Sequence, residues 1–247
     1  MIAGFLASFG KYLLMLRRGI ARPEKSSMYL KEIIRQVYDI GIGSLIIVFL
    51  ISMFIGAVTA VQFSYQLGTT FVPMYYIGYV VRDITIIELA PTITCLVLAG
   101  KVGSNMAAEL GGMRQKEHID AMEIMGVNRA SFLMRPKIIA RLIIISLLLL
   151  LSPCVGILGG YLASVPTDIL SHTDYVRGLR SFFVPYNITL MLVKAFVFAF
   201  ILTSVSSFQG YYVKGGSIEL GKASTNAVVF SDILILIADY LIAVLLT

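Results

Sequence analysis

Residues 40–81 read IGIGSLIIVFLISMFIGAVTAVQFSYQLGTTFVPMYYIGYVV, a run of 42 positions without a charged side chain. About 20 consecutive apolar residues let one α-helix cross the hydrocarbon core of a bilayer. The run is too long for one straight span, and residues 68–70 (Gly-Thr-Thr) together with Pro73 supply a break. We therefore expect a first membrane helix at about 40–65 and a short connection at about 66–81.

The composition of the whole chain agrees with membrane insertion. Of its 247 residues, 58% are hydrophobic and 14% are charged, and the mean hydropathy is +0.88. Soluble domains carry about 25% charged residues, so a soluble enzyme, a disordered tail and a nucleic-acid-binding arm are excluded. Further charge-poor runs predict four more membrane helices, at about 82–110, 142–165, 187–209 and 225–246.

The first 38 residues have a different character from the rest. They carry seven Lys and Arg residues, and apolar side chains from Ile2 to Leu16 fall on one face of a helix. This pattern is typical of a cytoplasmic helix that lies in the membrane interface; packing on a partner protein is the alternative. We expect 1–38 to form this interfacial segment and 39–247 to form the five-helix membrane domain.

The distribution of Lys and Arg predicts the orientation in the membrane. Sixteen of the 20 lie in 1–38, in 101–141 and at two positions of the loop 210–222. Basic residues are retained on the cytoplasmic side, so we place these segments and the N-terminus in the cytoplasm. An odd number of spans then places the C-terminus outside.

Residues 113–126, MRQKEHIDAMEIMG, form a charged island between the second and third spans. On a helical wheel the apolar side chains Ile119, Met122 and Met125 share one face, and Lys116, Asp120 and Glu123 lie on the other. Such a short amphipathic helix either lies on the membrane surface or inserts into a groove on a soluble partner.

Charged residues inside the predicted spans are few. A carboxylate within a span costs about 2.5–3.5 kcal/mol, so we expect Glu88 to face a cavity or a partner; a snorkelling or locally paired carboxylate is the alternative. Lys194 in the fourth span can pair with an aspartate of the fifth, Asp232 or Asp239. We expect Asp239 to lie near enough to the outer interface to be solvated.

No motif in the chain predicts catalysis. Residues 216–222, GSIELGK, match the start of a phosphate-binding loop, but Ala223 stands where a Ser or Thr would hold magnesium. No Ser/His/Asp set or metal-ligand cluster accompanies it. We expect no cofactor or metal in this chain, and we expect ATP hydrolysis to occur on another chain.

Three stretches resemble a known family. The runs ELAP at 88–91, LAGKVGSNMAAELG at 98–111 and IDAMEIMGV at 119–127 are similar to the MlaE (YrbE) permeases. The resemblance implies a membrane permease subunit of an ABC transporter that moves glycerophospholipid between the inner membrane and a periplasmic MCE-type carrier. Such transport maintains the lipid asymmetry of the outer membrane.

The resemblance also implies partners and a location. It implies that two copies of the chain form a homodimer in the bacterial inner membrane. Each subunit would have an interfacial N-terminal helix and five spans. Permeases of this kind work with a cytoplasmic ABC ATPase that holds ATP and magnesium, a periplasmic MCE-domain protein and often a STAS-domain protein. Phospholipid is the implied ligand, and nucleic acid is not.

The resemblance assigns roles to particular residues of this chain. The segment at about 113–126 matches the family's coupling helix, which binds the ATPase. This match implies the following coupling residues: Arg114, Glu117, Ile119, Asp120, Met122, Glu123 and Met125. Glu88 matches an acidic residue of the lipid cavity, and we add Gln62 and Tyr65 as lining. Many relatives have Arg just before this Glu, whereas Ile87 stands here; Arg82 is our candidate substitute.

Two other functions remain as alternatives. The segment 121–126 followed by Pro136 is faintly similar to the cytoplasmic loop of importers for small polar solutes. A membrane scaffold that transports nothing would share the same composition. An intramembrane enzyme would need a catalytic pair, which the sequence does not offer.

Overall fold

Helices make up nearly all of the computed structural model, which describes residues 2–19, 26–67, 73–124 and 129–246. In chain order they are α1 (Ile2–Gly19), α2 (Ser26–Leu67), α3 (Tyr75–Gln115), α4 (His118–Ile124), α5 (Arg129–Ser164), α6 (His172–Arg180), α7 (Tyr186–Tyr211) and α8 (Ser217–Leu246). These described ranges contain no β-strand. Helices α2, α3, α5, α7 and α8 are long and apolar enough to cross a membrane. An all-α, multi-pass membrane protein with five spans is thereby confirmed.

The first span is longer than its apolar run predicts. Helix α2 begins at Ser26 and continues to Leu67, whereas we expected a start near residue 40. No proline or glycine stands between Ser26 and Ile40, so nothing interrupts the backbone hydrogen bonds of the helix. The expected break at 68–70 lies outside the described residues.

The second span begins earlier than Arg82, where we placed its start. Its first turn forms directly after Pro73, with the Tyr76 N–H donating to the Pro73 carbonyl over 3.0 Å. A charged residue was also our boundary marker for α5, and the loop 210–222 was our marker for α8; those helices begin earlier, at Arg129 and Ser217. A helix continues through charged side chains when these find partners or reach solvent, so charge marks the membrane edge better than the helix end.

The described residues fall into two compact units. The first consists of Met1–Ile42, Ala99–Ile144 and Ala199–Ile237. Its core holds Met15 of α1 and Ile119 of α4, together with Leu133, Met134 and Tyr211. The amphipathic helices at the N-terminus and in the charged island therefore share one hydrophobic core.

Helix α1 has one side packed against the protein and another side exposed. Tyr12 donates a hydrogen bond to the Ser204 hydroxyl over 2.8 Å, and Met15 is buried beside it. Burial raises the pKa of the Tyr12 phenol, and the hydrogen bond to Ser204 opposes that shift only in part. Phe9 and Leu13 are about half exposed. Contact with the membrane interface through these two side chains stays a prediction.

The second unit consists of Gly43–Leu98, Ile145–Phe198 and Ala238–Thr247. Its helices approach each other through glycine, because a Cβ at Gly56 would lie 1.7 Å from the Gly156 carbonyl oxygen. The Ser52 hydroxyl donates to Ser152 over 2.9 Å, and Thr94 lies 2.8 Å from the same oxygen. In a bilayer, burial of apolar side chains contributes little to helix association, so small residues and paired hydroxyls hold the helices together.

Candidate functional site

One ammonium group joins two carboxylates within the second unit. Lys194 Nζ of α7 lies 2.6 Å from Glu88 Oε2 of α3 and 2.6 Å from Asp239 Oδ1 of α8. Thr92 donates a further hydrogen bond to Asp239 Oδ2 over 3.1 Å. Charges in apolar surroundings are stable only when paired, so this cluster explains how three ionisable residues are tolerated within spans.

The members of the cluster differ in exposure. The side chains of Lys194 and Asp239 are 1% and 9% exposed, whereas the Glu88 side chain is 45% exposed. Lys194 and Asp239 therefore form the buried base of the site, and Glu88 is its accessible member. The expected pairing of Lys194 with an aspartate of the last span is confirmed. The expected solvation of Asp239 is wrong, because packing around Lys194 buries it.

The backbone around Glu88 widens into one π-helical turn, Thr85–Leu89. Two residues later, Pro91 has no N–H to donate to the helical carbonyl one turn back. A π turn accommodates this missing bond, with the Ala90 N–H donating to the Thr85 carbonyl. Single π turns occur often at functional sites. Here the turn rotates Glu88 relative to a regular helix at the point where it meets Lys194.

Gln62 and Tyr65 lie on the exposed surface of α2. Tyr65 is 83% exposed, and Gln62 lines a shallow groove with Ala57, Val58 and Val61. Among the described residues, neither side chain hydrogen-bonds to Glu88. The structure thus does not join the three predicted lining residues within one chain, and their shared role stays a prediction.

Arg82 does not substitute for the basic neighbour that Glu88 lacks. Its guanidinium, which is buried, pairs with Asp83 over 2.7 Å. The remaining N–H groups donate over 2.6, 2.9 and 3.2 Å to the carbonyls of Leu179, Ser181 and Phe182. Arg82 therefore fixes the turn after α6 to α3, and Lys194 is the cation beside Glu88.

The charged island is not one helix. Helix α3 ends at Gln115, and Glu117 adopts a left-handed φ of 59° before α4 begins at His118. An Arg114–Asp120 ion pair of 3.0 Å spans this turn. Over its described part, 113–124, the expected helix at 113–126 is therefore replaced by the end of α3, a turn and helix α4, because a non-glycine residue in the left-handed region interrupts a helix.

Helix α4 packs its apolar face against its own chain. Ile119 is fully buried and Met122 packs against the same core, whereas Ile124 is 89% exposed. Of the predicted coupling residues, Arg114, Glu117 and Asp120 remain accessible at the turn. The side chain of Glu123 and all of Met125 lie outside the described residues. The outward surface of α4 is thus formed by residues other than its most apolar pair.

No group of three His, Cys, Asp or Glu side chains suited to a metal ion occurs in the described ranges. The candidate sites that these ranges do contain are the ion-paired cluster around Lys194 and the short helix α4.

Comparison with known proteins gives consistent matches. A family model described as "Permease MlaE" matches residues 33–245. A probable ABC transporter permease protein of Rickettsia bellii is 37% identical over 95% of this chain and 90% of its own length. A second such protein, of Synechocystis, is 30% identical over 86% of this chain and 81% of its own. The intermembrane phospholipid transport system permease protein MlaE of Haemophilus influenzae is 27% identical over 100% and 98%.

Proposed function

Because this chain belongs to the MlaE permease family and is a membrane permease subunit, we propose that it moves glycerophospholipid between the inner membrane and a periplasmic MCE-type carrier. The family resemblance read from the residues is confirmed. Support for the lipid substrate comes from the name of the Haemophilus relative, which states phospholipid transport. A permease for a small polar solute and a scaffold are the competing functions.

The half-exposed Glu88 carboxylate, held by the buried Lys194, is the observation that carries the proposal. A phospholipid has two apolar tails and one polar headgroup, so its site needs an extended apolar wall with few polar groups. Glu88 supplies acceptors for the N–H or O–H donors of a headgroup. Lys194 holds that carboxylate in place within the spans through the 2.6 Å ion pair. A polar solute would need more convergent polar groups than this.

We infer that two copies of the chain enclose the lipid. In their most apolar windows, α8 is 17% buried and α7 is 56% buried, and α2, α3 and α8 are the three least buried spans. Five helices do not easily surround a two-tailed lipid, whereas ten related by a two-fold axis do. A homodimer with its cavity lined by α2, α3 and α8 would use Gln62, Tyr65 and Glu88 together.

A cytoplasmic ABC ATPase is the proposed source of energy, since the matched relatives are named as probable ABC transporter permeases. In our proposal the exposed surface around Ile124 and the turn residues Arg114, Glu117 and Asp120 contact that ATPase. Ile119 and Met122 would act through packing and transmit the movement of α4 to the core of the first unit. An MCE-domain protein and a STAS-domain protein are the further partners that the family suggests.

Photo-crosslinking tests the proposed cavity. A photoreactive residue at position 65 or 88 should capture phospholipid in membranes, and capture should exceed that at position 158. Leu158 is the matched control because it is 59% exposed on a different span, α5. Equal lipid labelling at all three positions would indicate ordinary contact with bulk lipid. Capture of no lipid at 65 and 88 would favour the polar-solute or scaffold function.

A further inference from the structure

A second cavity, unrelated to Glu88, lies in the first unit. It is a groove of about 560 Å³ between α2, α3, α4 and α5. One part of its lining is charged or polar, formed by Lys31, Glu32, Arg35, Gln36, Glu109 and Lys137. The other part is largely apolar, formed by Tyr29, Met113, Met122, Phe132, Leu133 and Pro136. The groove therefore combines charge and apolar surface, as an amphiphile does.

The floor of the groove has an excess of positive charge. Glu109 accepts hydrogen bonds from both Lys137 and Arg141, so one carboxylate faces two cations. The side chains of Lys137 and Arg141 are 4% and 1% exposed. Lys137 lines the groove and Arg141 is not one of the lining residues, so the cation that an anion in the groove would reach is Lys137. Because Lys137 shares its one carboxylate partner with Arg141, a net positive charge remains there, which is costly when buried and which a bound anion would balance.

The rim of the groove adds two exposed cations from α2. Lys31 and Arg35 are both exposed, and the ion pair that Arg35 makes with Asp39 is long, at 3.8 Å. The acidic rim residue Glu32 accepts a hydrogen bond from Gln36 over 3.0 Å and keeps its charge, so the rim carries two cations against one carboxylate. An anion that enters the groove thus meets cations at the rim and at the floor.

The sequence places this groove at the depth of lipid headgroups. Arg35 precedes the charge-free run that starts at Ile40 by five residues, about 7.5 Å of helix. Arg141 directly precedes the charge-free run that starts at Leu142, and Lys137 lies one helical turn before Arg141. Both helices therefore bring their cations to the boundary between headgroups and acyl chains, where lipid phosphates lie.

We propose that this groove binds the phosphate of an anionic phospholipid from the surrounding bilayer, with part of an acyl chain against the aromatic wall. Tyr29 and Phe132 form that wall in edge-to-face contact, with centroids 6.2 Å apart. Met122 of α4 lines the same groove, so the bound lipid would brace α4 in the first unit. This lipid is a resident ligand, separate from the lipid proposed to meet Glu88.

Lipid retention by the full chain in detergent tests the proposal. Native mass spectrometry would count phosphatidylglycerol and phosphatidylcholine of identical acyl chains bound to the wild type, to Lys31→Gln/Arg35→Gln and to Lys11→Gln/Lys222→Gln. The last variant is the matched control, because Lys11 and Lys222 are exposed cations of the same unit. The rim variant spares the buried Lys137 and Arg141, so it is expected to fold.

We expect the wild type to retain phosphatidylglycerol in preference to phosphatidylcholine and the rim variant to lose about tenfold of that affinity. The control variant and Glu88→Gln should keep it. Equal retention of the two lipids, an equal loss in the control, or a loss in Glu88→Gln would overturn the proposal. Displacement of the lipid by glycerol phosphate or by a polyglutamate peptide would also overturn it, and would assign the groove to a soluble anion or an acidic partner.

Discussion

Lys194 Nζ lies 2.6 Å from Glu88 Oε2 and 2.6 Å from Asp239 Oδ1, so one buried ammonium joins carboxylates of two other helices. Asp239 is buried with it, and Glu88 is half exposed. Asp239 is therefore a structural residue, whereas Glu88 is accessible to a ligand. We expect substitutions of Asp239 to alter stability and substitutions of Glu88 to alter transport.

Removal of the shared cation should destabilise the protein. Lys194→Met leaves the Asp239 carboxylate buried without its partner, which costs about 3–5 kcal/mol of unfolding free energy. Adding Asp239→Asn should recover much of that loss, because the one carboxylate that remains, Glu88, is half exposed. Thermal unfolding in detergent measures both effects, with Lys222→Met as an exposed control. A single variant as stable as the wild type would show that the ion pair does not form.

Close helix contact in the second unit makes one glycine indispensable. In Gly56→Ala the new Cβ would meet the Gly156 carbonyl oxygen at 1.7 Å, and backbone cannot move aside as a side chain can. We expect a loss of at least about 2 kcal/mol of unfolding free energy. Gly43→Ala on the same helix has nothing within 4 Å of its Cβ and should be neutral or slightly stabilising. Equal stability of the two variants would contradict the packing.

The two sides of α4 should respond differently to charge. Ile119→Asp buries a carboxylate in the core of the first unit and should cost more than about 3 kcal/mol of stability. Ile124→Asp alters an exposed side chain, so the chain should remain folded but co-purify at least about tenfold less ATPase. Thermal unfolding and co-purification provide the measurements. ATPase retention by a folded Ile124→Asp variant would place the contact elsewhere.

Impermeant maleimide labelling tests the orientation in the membrane. The background carries Cys154→Ser, since Cys154 is an exposed free cysteine and Cys95 is buried. A cysteine replacing the exposed His172 should react in intact spheroplasts. A cysteine replacing the exposed His118 should react only after lysis. The reverse pattern would invert the topology that the basic residues predict.

The sequence predicts the number and type of membrane helices because lipid demands long apolar helices whatever the tertiary contacts. It also predicts that Lys194 pairs with an aspartate of the last span, since few charges are available inside the spans. It does not predict that Glu88 joins the same cation. That contact depends on how three helices are rotated, including the π turn at Glu88, and no spacing along one helix contains this information.

Other differences have a similar origin. The sequence of α4 predicts an apolar face, and Ile119 does lie on one. The pattern of a single helix does not show whether that face packs against its own chain or in a groove of a partner. The buried group of Glu109, Lys137 and Arg141 was missed because its members are 28 and 32 residues apart and each looks like an ordinary interfacial charge. Tertiary packing decides which charged side chains pair with each other, and sequence patterns do not contain this information.

ATP-dependent lipid transfer is the measurement that tests the claim that Glu88 takes part in phospholipid movement. The chain would be reconstituted with its cognate ATPase in vesicles that contain fluorescent phospholipid, and transfer to an acceptor would be followed for the wild type, Glu88→Gln and Leu158→Ala. We predict that Glu88→Gln lowers transfer at least about tenfold while folding and ATPase binding persist, and that Leu158→Ala transfers at the wild-type rate. Wild-type transfer by a folded Glu88→Gln variant, or no ATP-dependent lipid transfer by the wild type itself, would contradict the claim.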